Sequence, residues 1–368
     1  MKKNRDSNIE LLRIVAMLFI LFHHYALYNS LYNLEISNIN KYIGIILFSL
    51  GKIGVNIFIL ITGYFSIQKR FSIKKLIKLW LEVVFYSVGI TLMFIISGKV
   101  QLNLKELIKF IFPISFNKYW FITIYIILYI LMPFINRYVN KVNKEQYQKL
   151  LFILFILFIL CVGLYSIMYS STTYSMNESL PLSNIIFYIL VYLVGGYIRL
   201  YGIEKIENIG CKRTIGCTLL LFCLFITFLV VSKIIDYKYN KLGNVLFWYT
   251  RSNSIFVFVL SILTFYSFKK IKLKEIKIIN LLASSCFGIY LIQSHAFIAG
   301  KKLYKDYIHT GYFVQSSLLI VQAIGSIIVI FFIGSCIDLI RQKFIEKRIM
   351  KIKKFNNFFD KMDKFFND

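Results

Sequence analysis

Residues 9–27 decide the class of this protein, because they read IELLRIVAMLFILFHHYAL. A helix needs about 20 mostly apolar residues to cross the hydrocarbon core of a bilayer, and this stretch is close to that length. It nevertheless carries Glu10, Arg13 and two adjacent histidines. Charged and titratable groups are costly inside a membrane, so their presence in such a helix marks a candidate functional site.

Helical geometry separates the two histidines of this stretch. At about 100° per residue, Arg13 and His24 lie on one helix face with Glu10 close to the same line, whereas His23 points about 100° away. The rise of about 1.5 Å per residue puts roughly 16 Å between Arg13 and His24. These two side chains are therefore predicted to line the same pathway along one helix face, at two different depths in the membrane. The alternative is that Glu10 and Arg13 extend to the inner membrane interface and His24 to the outer one.

The whole chain has the composition of an integral membrane protein. Of its 368 residues, 58% are hydrophobic and 18% are aromatic, and the mean hydropathy is +0.68. Apolar runs of about 20 residues recur along the chain, as in proteins with several membrane helices. The first run carries charges and has no small-residue cleavage site, which indicates a retained membrane anchor rather than a signal peptide.

We predict an all-α integral membrane protein, a bundle of about ten transmembrane helices. The predicted spans are residues 9–29, 43–67, 76–97, 119–136, 149–169, 182–201, 214–232, 243–268, 278–299 and 313–340. With the N-terminus inside, the inner segments hold 30 Lys and Arg and the outer segments hold 11. Cytoplasmic loops carry such an excess of basic residues, so both termini are predicted to be cytoplasmic and residues 170–180 external.

Two regions follow from this division, a transmembrane domain over residues 1–340 and a basic amphipathic tail over residues 341–368. The tail alternates Lys with Phe, Ile and Met, a pattern typical of helices that lie on a membrane surface. The net charge of +27 does not indicate nucleic-acid binding, since the lysines flank apolar runs. Membrane lipids are the expected partners of this charge. The six cysteines form no CxxC pair, so no metal site is expected.

The second predicted span contains a lysine near its middle. Lys52 stands between Gly51 and Gly54, and such glycines allow two membrane helices to approach closely. Either residues 43–50 form a separate half-helix, or Lys52 faces a water-filled cavity. Beyond this span, residues 69–78 form the densest basic cluster between spans. That cluster fits a topology signal, and it also fits a binding site for a polyanionic cofactor.

Four stretches of the chain together resemble the membrane-bound acyltransferase 3 family. They are Glu10-x-x-Arg13 with His24 in the first span, Gly51-x-x-Gly54-Val55-x-Ile57-Phe58 with Thr62-Gly63-Tyr64 in the second, Tyr119-Trp120-Phe121 with Pro133-Phe134-Ile135-Asn136 in the fourth, and Phe287-Gly288-Ile289-Tyr290-Leu291-Ile292 in the ninth. They occur in the family's order and extend over most of the chain. The resemblance implies transfer of an acyl group, usually acetyl from acetyl-CoA, to a hydroxyl of a cell-envelope or exported polysaccharide.

The resemblance also assigns residues. The arginine and histidine of the family's first helix fall on Arg13 and His24. Its basic pair after the second span falls most nearly on Lys75 and Lys78, where arginine is more usual. In the ninth span the family often has a histidine after Tyr-Leu-Ile, a place that Gln293 holds here. His295, two residues later, therefore receives no role from the resemblance.

These assignments give an expected mechanism. His24 deprotonates the acceptor hydroxyl, or takes up the acyl group itself. Arg13 binds the phosphates of acyl-CoA together with Lys75 and Lys78, and Glu10 orients Arg13. The expected location is the plasma membrane of a bacterium, and the expected partners are acyl-CoA and a cell-envelope glycan or lipid-linked sugar. The main alternative is a transporter or flippase of a lipid-linked sugar, in which Arg13 and His24 hold a pyrophosphate. The third is a non-enzymatic scaffold, which the embedded polar residues disfavour.

Overall fold

The computed structural model describes residues 6–31, 34, 38–164, 181–239, 250–299, 302–346, 348, 359, 362 and 363, and all regular secondary structure among them is helical. The α-helices are α1 (Ser7–Tyr28), α2 (Ile39–Ser66), α3 (Ile73–Ile96), α4 (Leu104–Ile111), α5 (Trp120–Val139), α6 (Lys144–Phe155), α7 (Pro181–Leu200), α8 (Glu204–Glu207), α9 (Cys211–Tyr239), α10 (Ile255–Lys270), α11 (Lys277–Ser284), α12 (Cys286–Gln293) and α13 (Leu319–Arg341). Short π-helical segments cover Ile156–Cys161, Lys302–Tyr307 and Gln342–Glu346, and a 3-10 turn covers Thr310–Phe313.

Within these ranges, seven helices are long and apolar enough to cross a membrane. They are Ser7–Tyr28, Ile39–Ser66, Ile73–Ile96, Trp120–Val139, Lys144–Leu164, Cys211–Ile235 and Leu319–Glu346. Two shorter apolar helical segments cover Ile185–Leu200, within α7, and Lys277–Gln293, which comprises α11 and α12. The all-helical class is therefore confirmed, and the helices indicate a multi-pass membrane protein. The number of ten crossings and the cytoplasmic location of both termini stay predictions.

Polar side chains fix where several helices begin. The side chain of Asn38 accepts a hydrogen bond from the backbone N–H of Asn40 at the start of α2. The side chains of Asn103 and Asn143 cap α4 and α6 in the same way. These amides satisfy backbone donors that the first helical turn leaves without a partner. Short polar loops between apolar runs thus set the helix boundaries locally.

The predicted spans need correction at two places. α2 is continuous from Ile39 to Ser66, so the suggestion of a separate half-helix over residues 43–50 is wrong. The ninth predicted span is two helices, α11 and α12, which meet at Ser285. The predicted external loop 170–180 and most of the predicted tail 341–368 lie outside the described residues.

The chain forms two compact units. The first comprises Met1–Gln68, Val139–Ala283 and Thr310–Ile324, and the second comprises Lys69–Tyr138, Ser284–His309 and Gly325–Asp368. These two units do not test the predicted division at residue 340 into a transmembrane domain and a tail, which stays a prediction.

In the first unit, α2 packs closely against α1 and α7. A Cβ atom on Gly63 of α2 would come within 2.0 Å of the carbonyl oxygen of Tyr192 in α7. One on Gly195 of α7 would come within 2.3 Å of the carbonyl oxygen of Leu60 in α2. The two helices therefore cross with their backbones in contact, which only glycine permits at these positions.

In the second unit, a buried network of charges joins α3 to α13. The guanidinium of Arg341 donates to Asp338 at 2.8 Å and to Glu82 at 2.7 Å. The hydroxyl of Tyr86 donates to the same oxygen of Asp338 at 2.7 Å. Gly288 of α12 makes room for Asp338, since a Cβ there would lie 2.2 Å from its carboxylate. The positive and negative groups thus compensate each other's buried charge through ion pairs and hydrogen bonds inside this unit.

Gly63→Ala is expected to lower the stability of the purified protein by about 1–3 kcal/mol, because the added methyl meets a backbone carbonyl that no side-chain rotation can move. Gly216→Ala in α9 is the matched control, since nothing lies within 4 Å of a Cβ at that glycine. Thermal unfolding of both variants in the same detergent checks the difference. Equal melting temperatures would contradict the close crossing of α2 and α7.

The predicted orientation can be tested with two exposed residues. Gln101 lies in a predicted outer segment and Asn208 in a predicted inner one, and both side chains are exposed. In a variant freed of native cysteines, a membrane-impermeant maleimide added to whole cells should label Gln101→Cys and spare Asn208→Cys. Permeabilised cells should label both. The reverse pattern in whole cells would overturn the predicted topology.

Candidate active site

Glu10 and Arg13 form the inner part of the candidate site on α1. The Nε atom of Arg13 lies 3.8 Å from a carboxylate oxygen of Glu10. Glu10 is buried, with 8% of its surface exposed, while 35% of the Arg13 side chain is exposed. The carboxylate therefore lies where it can hold one edge of the guanidinium. A guanidinium is a group that can bind phosphate in a bidentate geometry.

The two histidines near the end of α1 have different surroundings. His23 is buried, and its Nδ1 lies 2.5 Å from the carbonyl oxygen of Phe48 in α2. Because a carbonyl can only accept, this nitrogen carries the proton of the neutral ring. The His23 side chain also covers Gly51, where a Cβ atom would come within 2.3 Å of it. His23 thus fills the contact between α1 and α2.

His24 is only half-buried, and it lies on the helix face of Arg13 as the sequence predicts, because α1 is continuous through both residues. Its ring lies 5.5 Å from the ring of Tyr28, centroid to centroid, and 5.5 Å from that of His23. Of the two histidines, His24 therefore has the more accessible ring. This difference agrees with a packing role for His23 and a chemical role for His24.

The predicted donor-binding lysines lie in the second unit, on the first turns of α3. Lys78 forms an ion pair with Glu346, with its Nζ 2.7 Å from the carboxylate. Lys75 is exposed, and its side chain makes no hydrogen bond or ion pair with any residue in the described ranges. At the start of the same helix, Asp363 accepts hydrogen bonds from the Ser72 hydroxyl and the backbone N–H of Ile73. Acidic groups of the C-terminal residues therefore already engage part of this basic cluster.

His295, to which the sequence gives no role, is a structural residue of the second unit. Its Nδ1 accepts from the backbone N–H of Phe297 at 3.2 Å, and its Nε2 donates to the carbonyl of Ser87 at 3.1 Å. Both ring nitrogens are thus engaged by backbone groups. The side chain ties the segment after α12 to α3. Gln293 before it is buried, with 1% of its surface exposed.

Comparison with protein families agrees with the α1 motif. A family model described as an acyltransferase domain matches residues 6–337. The chain belongs to the acyltransferase 3 family. The matched range contains Glu10, Arg13 and His24 as well as both lysines of α3, so the resemblance noted from four separate stretches is confirmed for most of the chain. No curated protein and no solved structure matched it.

Membership of this family establishes a membrane acyltransferase in general. It fits the two charged or titratable centres on α1, because acyl transfer needs a proton acceptor and a group that holds an anionic donor. Among the described residues, no three His, Cys, Asp or Glu side chains are grouped as a metal site requires.

Proposed function

We propose that this acyltransferase moves an acetyl group from acetyl-CoA to a hydroxyl of a cell-envelope or exported polysaccharide, at the plasma membrane of a bacterium. One observation carries the proposal: Arg13, with Glu10 beside it, shares a face of the continuous helix α1 with His24. The family match supports acyl transfer over the alternative of a transporter or flippase, for which no described feature speaks.

In the proposed reaction, His24 removes the proton from the acceptor hydroxyl as the oxygen attacks the thioester carbonyl. A carbon–oxygen bond forms, the carbon–sulfur bond breaks, and the thiolate of coenzyme A leaves with the proton that His24 returns. An imidazole can accept and donate a proton near neutral pH, which suits both steps. A variant of this route has His24 take up the acetyl group first and pass it to the hydroxyl.

Arg13 is proposed to bind a phosphate group of the donor. A guanidinium can donate two parallel hydrogen bonds to a phosphate, and the Glu10 carboxylate, 3.8 Å from Nε of Arg13, is proposed to orient it. Lys75 and Lys78 are proposed to add weaker attraction, because exposed cations are screened by water and salt. In the predicted topology His24 lies toward the outer surface, whereas acetyl-CoA is cytoplasmic. Either the pantetheine arm enters the bundle, or the acetyl group is relayed along α1.

His24→Ala is expected to abolish acetyl transfer while leaving the amount of folded protein unchanged. His23→Ala is expected to reduce stability, because it empties the contact with Gly51 and removes the bond to Phe48, yet to retain much of the activity per folded molecule. The assay measures transfer of labelled acetyl from acetyl-CoA to a glycan acceptor by purified protein. Equal loss of specific activity in both variants would contradict the hypothesis that His24 acts in the reaction because it shares a helix face with Arg13.

Arg13→Ala is expected to weaken binding of acetyl-CoA by about 10- to 150-fold, the effect of losing one charge-assisted hydrogen bond of about 1.5–3 kcal/mol. Lys75→Ala combined with Lys78→Ala should have a smaller effect that shrinks as salt rises. Lys149→Ala is the control, since Lys149 is an exposed lysine whose ion pair with Glu145 lies on α6. Titration in nanodiscs at two salt concentrations makes the comparison. Unchanged affinity in every variant would refute the donor assignment.

A further inference from the structure

Lys52 is a charged residue in the middle of a continuous membrane helix. α2 extends from Ile39 to Ser66, which puts Lys52 about 20 Å along the axis from either end at 1.5 Å per residue. The side chain is half-buried and forms no hydrogen bond or ion pair with any other residue that the structure describes. An ammonium group at such a depth is costly unless something compensates its charge.

A second cation lies nearby in the same unit. Arg251 precedes α10 and is followed by Ser252, whose carbonyl oxygen accepts a hydrogen bond at 2.9 Å from Asn56, one turn after Lys52 on α2. Two positive charges in a poorly hydrated interior repel each other more strongly than they would in water. A second cation on this side of α2 does not relieve the cost of Lys52, whereas an anion bound beside Lys52 would compensate the charge of its ammonium group.

Asn56 supplies a separate observation. It lies one turn after Lys52 on α2 and is fully buried, with 0% of its surface exposed. Its Nδ2 donates to the carbonyl oxygen of Ser252 at 2.9 Å, which fixes the orientation of the amide. Its Oδ1 is buried and accepts no hydrogen bond within the described residues. A buried acceptor left without a donor costs about 1–3 kcal/mol, so this atom calls for a donating group such as a hydroxyl.

The beginning of α10 makes the same place more positive. Ser254 caps this helix by accepting from the backbone N–H of Val257 at 3.2 Å. The N-terminus of a helix carries roughly half a positive elementary charge, which favours anions close to it. Ser252, which accepts a hydrogen bond from Asn56 of α2, and Arg251 next to it immediately precede this end of α10.

We propose that Lys52, Arg251 and Asn56 form a binding site for a phosphate group that has a hydroxyl beside it. The ammonium of Lys52 and the guanidinium of Arg251 donate to the phosphate oxygens, and the hydroxyl donates to Oδ1 of Asn56. Sugar phosphates and the nucleotide part of coenzyme A both contain this combination. The inference rests on the proposed function in taking the ligand from one of its two substrates.

The site lies beside the candidate active site in the first unit. The residue before Lys52, Gly51, is covered by the His23 side chain, to which a Cβ atom on Gly51 would come within 2.3 Å. The rings of His23 and His24 are 5.5 Å apart. A phosphate held by Lys52 would therefore place the attached group near the helix end that carries His24.

The test uses purified full-length protein and three probes: glucose 1-phosphate, acetyl-CoA and inorganic phosphate. At least one of them should raise the melting temperature of the wild type in a concentration-dependent way. Lys52→Met should weaken the binding of that ligand by about 10- to 150-fold. Lys52→Arg should retain binding because it keeps the positive charge. Lys41→Met is the matched control, since it removes a lysine near the start of the same helix.

A second measurement separates ligand binding from a structural role. Without ligand, Lys52→Met should melt at a higher temperature than the wild type, because it removes an uncompensated charge from the interior. A structural lysine would give the opposite change. The inference is overturned if no probe stabilises the wild type, or if each probe stabilises Lys52→Met equally well.

The same experiment separates this inference from the proposed reaction. If stabilisation by a probe depends on Lys52 but no acetyl transfer is found, the phosphate site is supported and the reaction is wrong. If transfer occurs and Lys52→Met binds and reacts like the wild type, the phosphate site alone is wrong. Preference for glucose 1-phosphate would assign the site to the acceptor, and preference for acetyl-CoA would assign it to the donor. Equal stabilisation by inorganic phosphate would show that the phosphate alone is recognised.

Discussion

Backbone contact between α2 and its neighbours positions the candidate residues of the first unit. Inside a bilayer, apolar side chains gain little by leaving lipid for protein, so helices associate through close packing and hydrogen bonds. α2 meets α1 at Gly54, where a Cβ atom would lie 2.5 Å from the carbonyl oxygen of Ala16, and it meets α7 at Gly63. With both neighbours this close, the rotation of α2 about its own axis is restricted. That rotation decides which side chains of α2 face the interior of the unit.

Two consequences for function follow from the same packing. His23 is held between the helices by Gly51 and by the carbonyl of Phe48, so the next residue of α1, His24, points elsewhere and keeps a more accessible ring. On α2, the rotation that seats Gly51 and Gly54 against α1 also brings Asn56 to Ser252. A single pair of helix contacts thus arranges both the proposed proton acceptor and the proposed phosphate site.

The sequence predicted what depends on one helix at a time and missed what depends on distant partners. The shared face of Arg13 and His24 follows from helical periodicity alone. The surroundings of Lys52 do not, because Ser252, which bonds Asn56 one turn away, comes from a segment far along the chain. The break at Ser285 was also missed: the apolar pattern continues through it, and its buried hydroxyl is satisfied by Ser335 of α13 at 3.0 Å. Hydropathy records the apolar run but not the hydrogen bond that permits the interruption.

The surroundings of Arg341 could not be predicted from the sequence either, and they provide a comparison for those of Lys52. The charge count treated Arg341 as an inner basic residue, yet the structure leaves only 6% of it exposed and surrounds it with three carboxylates, those of Glu82, Asp338 and Glu346. A buried cation with that many acceptors is compensated by the fold itself, and removing a partner would leave a charge without compensation.

Lys52 has no such acceptors among the described residues, although it belongs to the same chain and to a helix of the same kind. Within the described part of the chain, one buried cation is thus surrounded by acids and the other is not. A carboxylate beside Lys52 would neutralise the cation and repel an incoming phosphate. The Oδ1 of Asn56, one turn away and orphaned among the described residues, instead calls for a donor, and a phosphate with a hydroxyl beside it supplies both that donor and an anion for Lys52.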